Sequence, residues 1–396
     1  MVSAPSVQYP SGLPTPDADA LAHSQAVAQH IAAQIDANPD HAISFEQWME
    51  LALYAPGLGY YVSGTTKFGG SAPTGDFATA PELTPLFGHT LARQVQQVLD
   101  GCNSTRILEF GAGSGALADA VLSALVDAGR NVQYAILELS PDLRARQQQR
   151  LAHFGGRVEW LDTLPAEFIG CVLANEVLDA MPVNMLRRTN DASVSELFVA
   201  RASIDDAAQP EFAWIERPAS PRLQAVATDR LPAIAGYQSE INLRAEAWVR
   251  QMGEWLTRGA ALLIDYGFPR HEYYHPQRDE GTLMCHFRHY THAQPLVLPG
   301  LQDITAHVDF TAIADAALDG GLEVLGYTSQ ARFLLNAGLP DIMMAQSPDP
   351  QTLSAVQKLV SEAEMGELFK VMTIGRDLDV SYPLAGFATG DRRDRL

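Results

Sequence analysis

Short apolar runs alternate with stretches of helical spacing through the middle of the chain. The run ending in LEF at residues 108–110 predicts a buried strand, and apolar residues return at helical spacing after a glycine-rich turn. The predicted elements that follow are helix 115–128, strand 132–139, helix 141–153, strand 157–161 and strand 170–174. Strands that alternate with helices form parallel sheets covered on both faces. The expected fold class is therefore α/β, with a Rossmann-like, doubly wound, mostly parallel sheet.

The N-terminal part has a different pattern. Helices are predicted at 19–37 and 43–54, the second with Ser44 as its N-cap and Gln47 completing a capping box. A turn-rich stretch of glycines and prolines follows, which is typical of a lid loop. A helix at 84–99 leads into the central strand.

The alternation breaks after residue 182. Candidate strands in 183–217 predict an inserted β segment. The elements predicted beyond it are helix 241–256, a fifth core strand (AALLIDYG) ending at Asp265, an irregular substrate-facing stretch 267–305, helix 309–319, strand 322–328, a short helix to Asn336, helix 351–364 and strand 369–374. The expected domains are 1–100 (helical extension and lid loop), 101–182 (cofactor-binding half of the core), 183–240 (inserted β segment) and 241–396 (remainder of the core).

The central motif is LEFGAGSGAL at residues 108–117, which predicts a strand, a tight turn and a helix N-terminus. Gly111, Gly113 and Gly115 can take positive φ and leave room for a ligand on the backbone, and Ala112 lies between them. The free amides of the following helix favour an anionic or acceptor group. This stretch is therefore interpreted as a nucleotide-type binding turn.

Two acidic residues favour one cofactor, because the glycines together with Ala116 also satisfy the looser dinucleotide pattern G-x-G-x-x-A. Glu109 precedes the first glycine, where a carboxylate can face the cationic methionine end of S-adenosyl-L-methionine and would repel a pyrophosphate. Glu138 ends the next strand and is placed to accept hydrogen bonds from ribose hydroxyls, with Leu139 beside it. The sequence thus predicts an S-adenosyl-L-methionine site, and NAD is the alternative.

Polar residues at the carboxyl ends of the other predicted strands are further candidates, since these ends face the ligand crevice of an open α/β sheet. Asn175 and Glu176 end the fourth strand and should border the reactive methyl group. Asp179 follows within the same block. Asp162 comes directly after the third strand, in position to meet an adenine edge.

Acceptor carboxylates beside the reactive methyl group would orient a cationic methyl acceptor and localise its charge. Glu176 is the first choice for this role, and Asp76 or Asp265 is the second. Each acid also has a structural interpretation: Glu176 as a helix N-terminal acid, Asp179 as a cap and Asp76 as a turn former.

The charge balance restricts the partners. The 396 residues carry a formal net charge of −20, with 27 Lys and Arg against 47 Asp and Glu. Nucleic acid is not expected as a partner, because phosphate binding needs clustered cations, whereas an acidic enzyme could attract a basic peptide. There is no apolar run of membrane-spanning length and no presequence pattern, so membrane insertion is not expected and a cytoplasmic location is.

A group of histidines with one cysteine needs separate consideration. Cys285, His286, His289 and His292, with His307 beyond, offer metal ligands at short spacing, but no closed set of four matches a zinc pattern. No metal is therefore expected, and His289 and His307 are assigned structural or substrate hydrogen bonds.

Successive sequence blocks resemble those of the MidA family, the bacterial and mitochondrial relatives of the complex I assembly methyltransferase. The blocks are SFEQWMELALYAPGLGYY, GDFATAPE, LEFGAGSG, NEVLDAMP, LLIDYG and DITAHVDF, closed by Gln330. The resemblance implies a class I S-adenosylmethionine-dependent methyltransferase whose mitochondrial members dimethylate an arginine of a complex I subunit. A protein substrate is thus expected, and a homodimer remains open.

The resemblance also implies roles for individual residues. The glycines of the turn and Glu109 match the family's cofactor turn, and Glu138 matches its ribose acid. Gly75, Asp76 and Phe77 match the block expected to close over the methionine end of the cofactor. The block that holds Asn175, Glu176 and Asp179 matches the active-site strand.

Two other functions stay open at this point. One is a small-molecule O- or N-methyltransferase that uses the same cofactor site, with 267–305 closing over a small acceptor. The other is a non-catalytic assembly factor that keeps the fold and binds a protein partner without turnover.

Overall fold

A computed structural model of the chain describes residues 7, 9–63, 79–189, 193–202, 211–380 and 383–396. They divide into two units, each made of separate segments of chain. Unit 1 comprises Met1–Phe77, Ala180–Arg244 and Arg270–His307, and unit 2 comprises Ala78–Asp179, Ala245–Pro269 and Val308–Leu396. The domain boundaries expected from the sequence stay a prediction.

The described elements are numbered in chain order. The helices are α1 (Ala18–Ala37), α2 (Phe45–Tyr54), α3 (Ala80–Leu83), α4 (Pro85–Cys102), α5 (Ala116–Asp127), α6 (Pro141–Arg150), α7 (Pro221–Arg230), α8 (Leu243–Trp255), α9 (Arg270–Tyr273), α10 (Phe310–Asp319), α11 (Gln330–Asn336), α12 (Leu339–Gln346) and α13 (Pro350–Val360). The strands are β1 (Ile43–Ser44), β2 (Arg106–Phe110), β3 (Gln133–Leu137), β4 (Val158–Leu161), β5 (Phe168–Asn175), β6 (Asn184–Arg188), β7 (Val194–Arg201), β8 (Phe212–Pro218), β9 (Gln238–Ile241), β10 (Leu256–Phe268), β11 (Met284–Phe287), β12 (Tyr290–His292), β13 (Asp303–Thr305), β14 (Val308–Asp309), β15 (Glu323–Ser329) and β16 (Phe369–Arg376).

Unit 2 is built on a mostly parallel sheet. Among the described residues its strand order is β15-β16-β10-β5-β2-β3-β4, with β14 paired to the end of β10. The run from β10 to β4 is parallel, and β16 is antiparallel to both of its neighbours. The predicted α/β class with a Rossmann-like sheet is confirmed.

Both faces of this sheet are covered by helices of unit 2. Ile107 and Tyr134 lie in one apolar cluster with residues of α4 and α5 such as Val95. Phe110 has the opposite orientation, and its ring centroid lies 5.0 Å from that of Trp248 on α8. Because β-strand side chains alternate between faces, Glu109 shares the face of Ile107 and points toward the α4 and α5 layer.

Unit 1 contains an antiparallel sheet in the order β1-β7-β6-β9, with β8 paired to β7. The strands predicted in 183–217 are therefore present. Aromatic pairs join α2 to this sheet, with ring centroids 5.1 Å apart for Phe45 and Trp214 and 4.7 Å apart for Trp48 and Phe212. Such pairs add about 0.5–1.5 kcal/mol to their area burial.

The predicted capping box at the start of α2 is confirmed. The Gln47 backbone N–H donates to Ser44 Oγ at 3.2 Å, and the Ser44 backbone N–H donates to Gln47 Oε1 at 3.2 Å. Two of the amides left free at the helix N-terminus are satisfied in this way.

Several sequence-based expectations were wrong in detail. The stretch 267–305 is not irregular, because β11, β12 and β13 form a three-stranded antiparallel sheet within it. The fifth core strand does not end at Asp265 but continues to Phe268, since β14 supplies parallel partners for Gly267 and Phe268. The elements α7, β9 and α12 were not predicted. Among the described residues no helix has the length and apolar character needed to cross a membrane.

A buried carboxylate anchors the chain where it enters β11. Glu240 on β9 accepts the Thr282 backbone N–H with both carboxylate oxygens, each at 3.0 Å, and the Leu283 backbone N–H at 3.0 Å. Gly281 has a φ of +82°, and a Cβ there would lie 2.3 Å from Glu240 Oε1. The carboxylate and the glycine therefore fix this turn together.

Replacing Glu240 by alanine should lower the free energy of unfolding by about 3 kcal/mol, because two buried amide donors lose their acceptor at about 1–3 kcal/mol each. Urea unfolding of the wild type and the variant measures the difference. Glu280→Ala is the matched control, since Glu280 is exposed, and it should change stability by less than about 0.5 kcal/mol. Equal losses in the two variants would contradict the anchoring role.

Candidate cofactor and active site

The turn between β2 and α5 has the backbone that the glycines predict. Gly113 has a φ of +53° and Gly115 a φ of +83°, which are conformations that residues with a Cβ rarely adopt. A Cβ built on Gly113 meets no described atom within 4 Å. There is thus open space above the middle of the turn, where a ligand can approach the backbone. Ala112 is buried beneath it.

Glu109 lies fully buried just before this turn. Its Oε2 accepts a hydrogen bond from the Tyr134 hydroxyl at 2.8 Å. Burial raises the pKa of Glu109 from 4.5 to about 8, the bond from Tyr134 opposes that rise, and the nearby Glu138 carboxylate adds to it. A cation that arrives at the turn would lower this pKa again. The expected role of Glu109 toward the methionine end of a cofactor stays a prediction.

Glu138 follows β3 and is held from two sides. Its Oε1 accepts the Ser140 backbone N–H at 2.9 Å, and its Oε2 accepts Gln147 Nε2 at 2.9 Å. Burial raises the pKa of Glu138, while the hydrogen bonds from Ser140 and Gln147 oppose the rise. Leu139 is exposed beside it.

Gln147 on α6 is the site residue that the sequence did not single out. Its Nε2 also donates to the Gly113 carbonyl oxygen at 2.8 Å, so one side chain joins the turn to Glu138. It is one of three consecutive glutamines and the buried one among them. A signal was available, because Leu143, Gln147 and Leu151 recur at intervals of four and lie on one helical stripe.

Asp162 follows β4 as expected but faces solvent. Its carboxylate is mostly exposed and forms an ion pair with Arg144 on α6. A contact of Asp162 with an adenine edge therefore stays a prediction.

The carboxyl ends of β5 and β10 bring several polar groups together. Asn175 Nδ2 donates to Glu176 Oε1 at 3.0 Å. Asp265 Oδ2 accepts the backbone N–H of Asp179 at 3.2 Å, and the Tyr266 hydroxyl donates to Asp179 Oδ2. The candidates thus form two hydrogen-bonded pairs, Asn175 with Glu176 and Asp179 with Asp265, and they lie close enough for the Glu176 carboxylate to raise the pKa of Asp265.

Two features of this group are costly to the fold. Burial raises the pKa of Asp265 well above its usual value, and the Asp179 and Glu176 carboxylates raise it further. Glu176 has a φ of +53°, a left-handed conformation that costs about 1–2 kcal/mol in a residue with a Cβ. Strain of this kind clusters at functional sites. It supports the interpretation of Glu176 as more than a helix-terminal acid.

Some candidates cannot be placed or did not assemble into a site. Gly75, Asp76 and Phe77 lie outside the described residues. In the part of the chain that the structure covers, no group of three or more His, Cys, Asp or Glu side chains could hold a metal ion. Cys285 and His292 are partners across β11 and β12, and the Cys285 thiol is buried.

The parallel sheet, the glycine turn after its first strand and the acid after its second define a Rossmann-like nucleotide-binding protein of the methyltransferase type. A family model of S-adenosyl-L-methionine-dependent methyltransferases, Methyltransf_28, matches residues 87–328. The chain belongs to this family, and its cofactor is S-adenosyl-L-methionine.

Solved structures and curated relatives agree with this assignment. A COG1565 superfamily member from Burkholderia thailandensis, bound to S-adenosyl-homocysteine, is 48% identical with a TM-score of 0.89, and the match covers 97% of this chain and 100% of that one. Protein arginine methyltransferase NDUFAF7 homolog, mitochondrial, from Drosophila melanogaster is 28% identical over 87% of this chain and 85% of its own. The zebrafish protein arginine methyltransferase NDUFAF7, mitochondrial, is 26% identical, with 89% of this chain and 87% of its own covered. The resemblance to the MidA-like family is confirmed.

The same comparisons correct the expected location. The curated relatives from fly, zebrafish and human are named mitochondrial proteins, which contradicts the prediction of a cytoplasmic protein made from the sequence.

The residues of unit 2 fit an adenosyl cofactor. The space above Gly113 leaves the turn backbone accessible, and the buried Asn175 Oδ1 has no hydrogen-bond partner among the described residues. A buried acceptor without a donor costs about 1–3 kcal/mol unless a bound group supplies one. An ammonium or hydroxyl of the cofactor has the donors that this atom lacks.

S-adenosylhomocysteine should raise the unfolding temperature of the wild type, since a ligand at 100 times its Kd adds about 2.7 kcal/mol of stability. Gly113→Val should abolish the shift, because valine resists the positive φ and its side chain enters the open space. Thermal unfolding with and without ligand measures both effects. Gly129→Val is the control, since Gly129 also has positive φ but lies at the far end of α5. A full ligand shift in Gly113→Val would place the cofactor elsewhere.

The raised pKa of Glu109 predicts a stability that falls with pH. The folded chain retains a proton on Glu109 between pH 4.5 and about 8 that the unfolded chain has lost. The free energy of unfolding should therefore fall as pH rises through this window, by up to about 1.4 kcal/mol per pH unit from this group. Glu109→Gln should remove that slope, as measured by urea unfolding at pH 5.5, 6.5 and 7.5 without added cofactor.

The exposed Glu159 on β4 provides the control for this measurement. Glu159→Gln should keep the wild-type slope. Parallel stability curves for the wild type and Glu109→Gln would show that Glu109 titrates at its ordinary pKa.

Proposed function

We propose that this chain transfers methyl groups from S-adenosyl-L-methionine to an arginine side chain of a protein substrate. The support comes from curated relatives that are named protein arginine methyltransferases and from the acidic group at the ends of β5 and β10. The formal net charge of −20 would also favour approach of a cationic peptide.

The observation that carries the proposal is the acidic group itself. Glu176 and Asp179 follow β5, the strand next to the one that leads into the cofactor turn, and Asp265 lies near the carboxyl end of β10, the next strand beyond β5. A guanidinium presents five N–H donors in a fixed plane and matches carboxylate acceptors on its edges. Three carboxyl groups in one place suit this ligand better than a neutral acceptor.

In this proposal, one set of residues binds the cofactor and another orients the methyl acceptor. The backbone at 111–115, Glu138 and Asn175 would hold the cofactor, which supplies an electrophilic methyl group when bound. Glu176 and Asp179 would orient the guanidinium and keep its charge away from the attacking nitrogen. Asp265 is buried and accepts a hydrogen bond from the Asp179 backbone N–H, and it would fix the position of the segment that follows β5.

We extend the proposal to the particular substrate and assembly. A subunit of respiratory complex I is the proposed target, on the basis of the sequence blocks shared with the MidA family. Mass spectrometry of complex I subunits from cells with and without the gene would detect a missing methylarginine. A homodimer remains a prediction, which sedimentation of the purified chain would test.

Glu176→Gln should lower methyl transfer about a hundredfold or more, since the glutamine no longer neutralises the guanidinium. Binding of S-adenosylhomocysteine should remain close to that of the wild type. The assay incubates each protein with methyl-labelled cofactor and protein extract, then hydrolyses the product and separates the methylated amino acids.

Glu167→Gln is the control, because Glu167 is an exposed acid that precedes β5. It should transfer methyl groups at the wild-type rate. Label in small molecules alone would favour the small-molecule methyltransferase. A wild type that binds cofactor but labels nothing would favour the non-catalytic assembly factor.

A further inference from the structure

We propose that Gln147 is a positioning residue of the cofactor site, which sets Glu138 at a fixed place relative to the glycine turn so that the pair selects a ligand with a vicinal diol. This inference rests on the proposed role of Glu138 and is independent of the methyl acceptor.

The contacts of Gln147 define its orientation. Trp160 Nε1 on β4 donates to Gln147 Oε1 at 3.0 Å, and an indole nitrogen can only donate. The amide oxygen must therefore face Trp160. The amide nitrogen then faces two acceptors, the Gly113 carbonyl oxygen at 2.8 Å and Glu138 Oε2 at 2.9 Å. Reversing the amide would break all three hydrogen bonds.

Burial makes this arrangement rigid. Gln147 is fully buried, whereas Gln148 and Gln149 on the same helix are exposed. A buried amide that lost these partners would leave several polar groups unsatisfied, so the three hydrogen bonds hold or fail together. The side chain acts as a spacer of fixed length between β3, β4 and the turn.

A second contact from α6 supports the same geometry. Arg150, one turn after Gln147, donates from Nη1 to the Ser114 carbonyl oxygen at 3.1 Å. A Cβ added to Gly115 would lie 3.5 Å from Gln147 Cγ and 3.6 Å from Arg150 Cδ. Helix α6 therefore packs directly against the turn and fixes two consecutive carbonyl groups of it.

The acceptor capacity of Glu138 indicates the ligand chemistry. A carboxylate has about four lone-pair sites. Ser140 donates to one oxygen and Gln147 to the other, and the Leu139 backbone N–H also hydrogen-bonds to this carboxylate. In the proposed complex each carboxylate oxygen also accepts from one of the two neighbouring hydroxyls of a ribose. Since Gln147 holds Oε2 in place, loss of its donor would let the carboxylate rotate, and a diol would lose one of its two acceptors.

The test compares two ligands rather than one. Calorimetry gives Kd for S-adenosylhomocysteine and for its 2′-deoxy analogue with the wild type, Gln147→Met, Gln147→Glu and the control Gln148→Met. The wild type should prefer the diol roughly 10- to 100-fold, the value of a hydrogen bond to a charged group. Gln148→Met should keep this preference, and both Gln147 variants should reduce it to about threefold or less.

The ratio of the two Kd values distinguishes loss of the positioning role from general destabilisation of the fold, because a destabilised fold lowers the affinity for both ligands equally. Gln147→Glu keeps the acceptor for Trp160 and the shape of glutamine, so it serves if Gln147→Met does not fold. A wild-type ratio in either folded variant would overturn the proposal. A wild type that binds neither ligand would instead overturn the cofactor assignment, and the identity of the methyl acceptor affects no arm of the test.

Discussion

The register of three parallel strands determines where the chemistry of this protein lies. Phe110 on β2 pairs with Ala174 on β5, and Asn175 on β5 pairs with Ile264 on β10. The next residue along each strand therefore enters the same edge of the sheet. All three strands run in the same direction. The glycine turn, the side-chain amide of Asn175 and the carboxyl group of Asp265 are therefore brought together by the strand pairing itself. If either pairing shifted by one residue, the side chains of the shifted strand would point to the opposite face of the sheet.

The site also depends on acids that are kept out of water. Glu109 and Asp265 are buried and have raised pKa values, and each is held by hydrogen bonds from its own unit. Burying a carboxyl without partners would cost several kcal/mol. The Tyr134 hydroxyl serves Glu109, and backbone amides from Leu178 and Asp179 serve Asp265. These acids respond strongly to any charge that arrives, because little water is present to screen them.

The sequence predicted those parts of the fold that depend on local pattern. The strand, turn and helix around Gly113, the capping box at Ser44 and the alternation that builds the sheet follow from spacing and from the conformational freedom of glycine. The three-stranded sheet within 267–305 did not, because each strand has four residues or fewer and β13 pairs with β11 only across the intervening β12 and residues 293–302. Gln147 was missed for a related reason. Its role depends on hydrogen bonds to Glu138 and Trp160, which lie on other elements, and the sequence alone does not show these contacts.

The central sheet has its latest strand in its interior. Strand β16, residues Phe369–Arg376, separates β15 from β10 and pairs with both. During synthesis about a hundred residues are added between the end of β10 and the start of β16, and until then this edge of β10 lacks its β16 partner, although most of the side chains of β10 are apolar. An uncovered edge of this kind invites pairing with other chains, so nascent or prematurely terminated copies should be clients of chaperones and prone to aggregate.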